Sequence, residues 1–306
     1  MTSVHRGTAA AHARAGRSVR SLRPQGYLWV LPALIVSAGI LYYSIGYTGY
    51  ISTLDWDGSS PAPEPVGFDN FVTLFGDPVF WAALQHTVLF FVVTFALQTF
   101  LGLLLAALLH SNIRWRGLYR VLVFVPVVIA PAFMAPVFRQ IFAADGALNW
   151  VLEHIGLGFL THSWLADSAT ALPVVMLIAV WGSTGVNFIL YSAALGQIDP
   201  QIVEAARMDG AGGVRVFWSI LLPSVRGTTL ALAILTAIGS LKTFDIPYLV
   251  TNAGPNHATE FLGTYIYTQS IPLAHVGYGA ALSVMLLVIA VIMALVLNLR
   301  RERGEA

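Results

Sequence analysis

The sequence contains no cysteine, which excludes a disulfide framework and any thiolate metal or redox site. Charge is scarce: Asp, Glu, Lys and Arg make up 10% of the 306 residues, and Lys242 is the only lysine. No G-x-x-x-x-G-K-S/T occurs, and Gly210-x-Gly212-Gly213 lacks a preceding strand and a following lysine, so the chain carries no phosphate-binding loop of its own. No Ser-His-acid or paired-carboxylate spacing supports hydrolysis, so no catalytic residue is nominated and the chain reads as a non-enzyme. His86 has no second His or acid at ligand spacing, and His154 and His162 stand eight apart in a loop, so no metal site is nominated either. Nothing points to nucleic acid.

What fills the chain is hydrocarbon. Hydrophobic residues are 57% of the sequence and the mean hydropathy is +0.74, values of an all-α integral membrane protein. Six apolar runs predict six transmembrane helices over 27–50, 84–109, 121–142, 170–191, 227–250 and 277–298. Residues 1–26 form a basic tail that is expected to be disordered. The run from Tyr27 is too long for a signal-peptide core and lacks a small-x-small cleavage site, so it reads as an uncleaved first span. The third run contains Pro126, Pro131 and Pro136, tolerated in membranes where neighbours satisfy the freed carbonyls. The segments 51–80, 143–168 and 251–275 read as loops, 81–298 as the core, and 299–306 as a short tail.

The loops sort by charge. Fourteen of the sixteen basic residues fall in the tail (Arg6 to Arg23), the 110–120 loop, the segment holding Arg207, Arg215 and Arg226, and the C-terminus. The three opposite loops hold none. The positive-inside rule then places both termini in the cytoplasm.

The longest polar island of the second half spans about 192–226. Asp199-Pro200 reads as an N-cap and first helical residue. Gln201 to Asp209 are good helix formers, and Gly210 is a left-handed stop. After the turn Ala211-Gly212-Gly213, Val214 to Leu222 reads as a second short helix with Phe217 and Trp218, closed by Pro223. An exposed helical elbow with an apolar, aromatic face requires a docking partner.

This island resembles the cytoplasmic loop of the membrane subunits of binding-protein-dependent ABC importers: E-A-A, three residues, G, nine residues, I, one residue, L-P. Glu204-Ala205-Ala206, Gly210, Ile220 and Leu222-Pro223 meet every position and spacing. The resemblance extends over most of 27–298. Pro126 with Pro131, Gly146-x-Leu148-Asn149, and Trp181 to Asn187 leading into Ile198-Asp199-Pro200 look like sugar-importer permeases. Lys242-Thr243-Phe244-Asp245, Tyr248 and Thr251-Asn252-x-Gly254-Pro255 resemble the first permease of the maltose and glycerol-3-phosphate type. Two positions depart from that pattern: Ala253 stands where a second glycine is usual, and Phe138 where a tryptophan is common.

The resemblance implies a type I ABC importer permease fold with a cytoplasmic coupling-helix elbow, in a bacterial plasma membrane. It implies that Glu204, Ala205, Ala206, Asp209 and Gly210 couple to an ATPase subunit. The implied partners are a second homologous permease, two ATPase subunits holding ATP and Mg²⁺, an extracytoplasmic binding protein and a carbohydrate. An importer of amino acids, peptides or polyamines is the alternative, and a non-transporting scaffold a further one.

Two intramembrane constellations are candidate substrate contacts. Ser183, Asn187 and Tyr191 recur every four residues and share a helix face; they read equally as a pathway wall or as interhelical hydrogen bonds. Lys242 and Asp245 lie three apart and share a face of the fifth run, as a self-neutralising pair or as pathway lining beside Phe244 and Tyr248. Pro247 is expected to bend that helix. The cysteine-free chain allows a direct test of topology. A cysteine at Ser60 or Asn256 should react with an impermeant thiol reagent in intact cells, and one at Ser3 or Ser111 should not; the reverse labelling overturns the orientation.

Overall fold

In a computed structural model, residues 25–110 and 114–305 are described, with side chains described from Trp29 to Leu109 and from Arg114 to Leu297. Most of the basic tail and Ser111 therefore lie outside the described residues. The chain divides into residues 1–46 and 47–306. The first unit contributes most of α1, Gln25–Ile51, an unbroken helix despite Pro32.

In the second unit, a two-stranded antiparallel ribbon pairs β1, Leu54–Asp55, with β2, Glu64–Pro65. The helices that follow are α2 (Asp69–Gly76), α3 (Pro78–His110), α4 (Arg116–Val128), α5 (Pro131–Ile141), α6 (Ala147–His154) and α7 (Ser168–Leu195). The elbow holds α8 (Pro200–Met208), α9 (Gly213–Val216), a π turn (Phe217–Leu221) and α10 (Leu222–Ser224). Then come α11 (Arg226–Leu241), α12 (Asp245–Thr251), α13 (Leu262–Ser270) and α14 (Val276–Glu305).

Among the described residues, four helices are long and apolar enough to cross a membrane: Trp29–Ile51, Pro78–Leu109, Ser168–Leu195 and Val276–Leu297. Two bent pairs raise the number to six if each counts as one span. The first bent pair corrects the expectation of a continuous third helix over 121–142. The chain turns by 97° between α4 and α5, because Ala130 is extended (ψ 142°) ahead of Pro131, as the residue before a proline prefers. The fifth helix is also shorter than expected. α11 has 16 residues and ends at Leu241, rising about 24 Å against a hydrocarbon thickness of about 30 Å. Residues 242–244 interrupt it and α12 starts at Asp245. Pro247 lies in the first turn of α12, where a proline is accommodated, so it does not cause the break.

α3 and α7 form the most extensive helix pair, with α4 against α7 and α11 against α3. Their inner core joins Leu103, Ala106 and Leu109 to Phe188, Tyr191 and Leu195 and to Val225 and Leu232. The approach depends on two glycines. A Cβ on Gly102 would stand 2.6 Å from Asn187 Cβ and 3.0 Å from the Phe188 backbone nitrogen, and one on Gly185 would stand 2.7 Å from the Val123 carbonyl oxygen.

The opposite end is held by Asp77, just ahead of α3. Its Oδ1 accepts from the Val79 N–H at 2.8 Å. Its Oδ2 accepts from the hydroxyl of Tyr265 on α13 and of Tyr278 on α14 at 2.6 Å. Burial opposes the charge, but these donors outweigh it and hold the Asp77 carboxyl below the usual carboxylate range. The segment 251–275, read as a polar loop, thus contains α13, whose Leu262 and Tyr265 are buried against α2, α3 and α14.

Gly102→Ala should lower the melting temperature of the detergent-solubilised protein by an amount corresponding to about 1–3 kcal/mol, the range for overpacking. Gly227→Ala, where a Cβ meets nothing within 4 Å, should leave it unchanged. Equal melting of the two variants would contradict the close helix contact.

Candidate functional site

Two regions carry the candidate residues: the elbow and a cavity at the helix breaks. In the elbow, the Asp199 side chain accepts from the Gln201 N–H at 2.9 Å and Pro200 opens α8. The helix stops in a Schellman arrangement. Gly210, at φ +81°, donates to the Arg207 carbonyl at 3.0 Å, and Ala211 donates to Ala206 at 2.9 Å. The second half differs from the expected single helix: it is α9, a π turn and α10, and Pro223 lies inside α10 rather than closing it. The chain then bends by 66° into α11.

No residue of α8 is buried. Glu204, Ala205, Asp209 and Gly210 are exposed and Ala206 is half-buried. Met208 (88% exposed), Val214 (76%) and Trp218 (62%) stand out among them. Large apolar side chains exposed together on one segment mark a contact surface for protein or lipid. A groove of about 200 Å³ runs between its two arms, lined by Ala206, Asp209, Arg215 and Ile220.

The second region is a cavity of about 330 Å³ where α3, α7, α11 and both helix breaks meet. Gln98, Pro131, Ser183, Asn187, Lys242 and Asp245 border it, with Phe244 at one side. Asn187 is 3% exposed and its Oδ1 has no hydrogen-bond partner. A buried amide oxygen left unpaired is costly, and this one has almost no accessible surface, so a hydroxyl or amine in the cavity reaches it only if the neighbouring helices shift. Gln98 Nε2 donates to the Ala179 carbonyl at 3.2 Å.

Of the candidates, Ser183, Asn187, Lys242, Phe244 and Asp245 share this cavity; Tyr191 and Tyr248 do not line it. Tyr191 is fully buried and donates to Thr229 Oγ1 at 3.0 Å, joining α7 to α11. Tyr248 stacks on Phe244 with ring centroids 5.0 Å apart and lines a separate cavity. The expected Lys242–Asp245 helix face is corrected too. Lys242 caps α11, and Phe244, at φ −141° and ψ −54°, precedes α12. Among the described residues the ion pairs are His162–Asp167 and His257–Glu260, so Lys242 and Asp245 do not neutralise each other. His86 Nδ1 lies 2.9 Å from the Glu260 carbonyl oxygen, a structural contact. Gln98 and Pro131 were not among the candidates. A glutamine in the middle of an apolar run was the available signal for the first, and the X-Pro preference for extended backbone for the second.

Residues 98–303 match the family described as binding-protein-dependent transport system inner membrane component. The chain is similar to the probable ABC transporter permease protein YurN of Bacillus subtilis, 35% identical over 272 residues, covering 88% of this chain and 93% of that one. It is similar to the lactose transport system permease protein LacF of Rhizobium radiobacter, 34% identical and covering 91% and 94%. Its fold is similar to a chain of a bacterial alginate ABC transporter solved in complex with an alginate pentasaccharide-bound periplasmic protein. That likeness has a TM-score of 0.74 at 23% identity, over 91% of this chain and 96% of that one.

The placement of the candidates has a chemical readout. In the solubilised protein, a cysteine at Ser183 or Lys242 should react quickly with a small hydrophilic methanethiosulfonate. A cysteine at Tyr191 should react at least tenfold more slowly, as expected for a site that opens only on local unfolding. Equal rates would contradict the separation of Tyr191 from the cavity.

Proposed function

The chain belongs to the family of binding-protein-dependent transport system inner membrane components, and from that premise we propose that it is the permease subunit of an ABC importer for a carbohydrate. It forms half of the translocation pathway and engages an ATPase subunit through the elbow. The observation that carries this reading is the co-occurrence, within the matched residues 98–303, of an exposed helical elbow and a cavity built at two helix breaks. Non-helical backbone at membrane depth is tolerated where it lines a cavity or is buried in protein. The cavity's amide, hydroxyl and aromatic groups suit a sugar, whose hydroxyls seek hydrogen bonds and whose C–H faces pack on rings. An importer of amino acids, peptides or polyamines is the alternative; the named relatives favour sugars, since LacF is a lactose permease and NgcF of Streptomyces coelicolor belongs to a diacetylchitobiose uptake system.

In this reading the other half of the pathway comes from a second homologous permease. A binding protein delivers the sugar on the outer face, and the basic loops and both termini face the cytoplasm. ATP and Mg²⁺ belong to two partner ATPase subunits, because this sequence has no phosphate-binding loop. Glu204 meets a basic group of the ATPase, while Ala205 and Ala206 allow close approach. Gly210 turns the chain so that both arms of the elbow enter one groove. Closure of the ATPases moves the elbows and opens the pathway outward. Asn187 Oδ1, Ser183, Lys242 and Asp245 then receive the sugar's hydroxyls, and hydrolysis restores the inward state.

Glu204→Lys and Gly210→Val should each abolish uptake while the subunit still inserts. Losing one partner of a buried pair costs about 3–5 kcal/mol, and a β-branched residue is strongly disfavoured at the positive φ of Gly210. Pull-down of the ATPase and its stimulation by loaded binding protein in proteoliposomes provide the measurement; normal values in both variants remove the elbow from coupling. Asn187→Ala and Asp245→Asn should reduce uptake with the complex assembled, and normal uptake in both would leave the cavity without a role.

A further inference from the structure

A second cavity, of about 420 Å³, opens among Tyr248, Asn252, Asn256, His257, Tyr267 and Thr268. It lies next to the first one through a cluster of rings. Phe244, which borders the first cavity, stacks on Tyr248 at 5.0 Å and 15°. Tyr267 stands edge-on to both, 5.3 Å from Phe244 and 5.0 Å from Tyr248. One aromatic wall therefore connects two cavities, each within the range of ligand pockets, roughly 300–1,000 Å³.

The second cavity is a built one. Asn252, Ala253, Asn256 and His257 all have positive φ, between 48° and 61°, a conformation that non-glycine residues keep only where surrounding structure imposes it. That structure is on hand. The hydroxyls of Thr251 and Thr259 lie 2.6 Å apart, and Thr259 Oγ1 donates to the Gly254 carbonyl at 2.8 Å. Glu260, 2% exposed, accepts from Thr264 Oγ1 at 2.6 Å and faces His257 Nδ1 at 2.9 Å. By contrast, the side-chain amides of Asn252 and Asn256 bond to no other described group. A rigid frame thus presents two free amides beside an aromatic face. Neither Lys nor Arg lines this cavity, and its His257 and Glu260 are bonded to each other, so no free cation is offered to an anionic substituent.

We propose that this second cavity is a saccharide subsite for an uncharged ring, and that the substrate is an oligosaccharide of at least two rings. One ring occupies the second cavity while its neighbour crosses the Phe244–Tyr248 wall into the first. The proposal rests on the carbohydrate reading above and adds to it a length and a charge. The two are tested apart in the complete importer (both permeases, ATPase subunits and binding protein) reconstituted in proteoliposomes, with radiolabelled glucose, lactose, N,N′-diacetylchitobiose and maltotriose as probes. At least one oligosaccharide should be taken up and glucose should not. In Tyr267→Ala and Asn256→Ala, uptake per ATP hydrolysed should fall about tenfold, the effect of losing one ring contact or hydrogen bond. Hydrolysis stimulated by loaded binding protein should persist, and Tyr267→Phe should restore uptake. Unchanged uptake in both alanine variants, with Asn187→Ala inactive, overturns the subsite and leaves the carbohydrate reading standing. Glucose carried as well as the oligosaccharides overturns the subsite too. Stimulation and uptake by none of the four sugars counts against the carbohydrate reading, and the subsite falls with it.

Discussion

Inside a bilayer no water is available to a backbone amide or carbonyl, so every break in a helix must find partners in the protein or face an aqueous cavity. This constraint organises the second half of the chain. α4 and α5 part at Ala130, and α11 and α12 part at residues 242–244, and both breaks border one cavity. Local bonds satisfy part of the exposed backbone. Lys242 and Thr243 donate to the last carbonyls of α11, the Thr243 hydroxyl donates to the Gly239 carbonyl at 3.1 Å, and Pro131 brings no N–H to satisfy. The interruptions concentrate polar backbone and polar side chains in one place, and a polar ligand can cross hydrocarbon only through such a place.

Around that place the packing is tight. Gly102 and Gly185 bring α3 and α4 to van der Waals contact with α7, and the Tyr191–Thr229 bond joins α7 to α11. At the other end Asp77 gathers α13 and α14 onto α3. Close-packed interiors shift between discrete arrangements more readily than they deform. Such packing favours whole helices turning about the bends over loosening within the α3–α7 pair.

Much of this was legible in the sequence, for definable reasons. Charge scarcity and apolar runs located the long helices, because hydrocarbon selects for uniform composition over some twenty residues. The Asp199-Pro200 cap and the Gly210 stop were legible because each residue meets a local backbone requirement. The break at 242–244 was not, because nothing in Lys-Thr-Phe-Asp forbids a helix; the interruption is set by packing of α12 on α5 and α7. For the same reason a four-residue spacing placed Tyr191 with Ser183 and Asn187, whereas the neighbouring α11 takes its hydroxyl into the interior. α13 was read as loop because its nine residues bear hydroxyls and amides, and its burial depends on contacts with α14 and Asp77 that are distant in sequence.

The π turn at Phe217–Leu221 gives a further meaning to the spacing between Gly210 and Ile220. Such a turn holds one residue more than an α-turn would over the same rise, so it takes up an extra residue between the tip of the elbow and the base of α11 without turning one against the other. Wound instead as regular α-helix, the same residues would rotate everything beyond them by about 100° about the helix axis. Trp218 and Val214 would then face a different direction relative to α11. The nine-residue interval therefore sets the direction in which Trp218 and Val214 face relative to the base of α11.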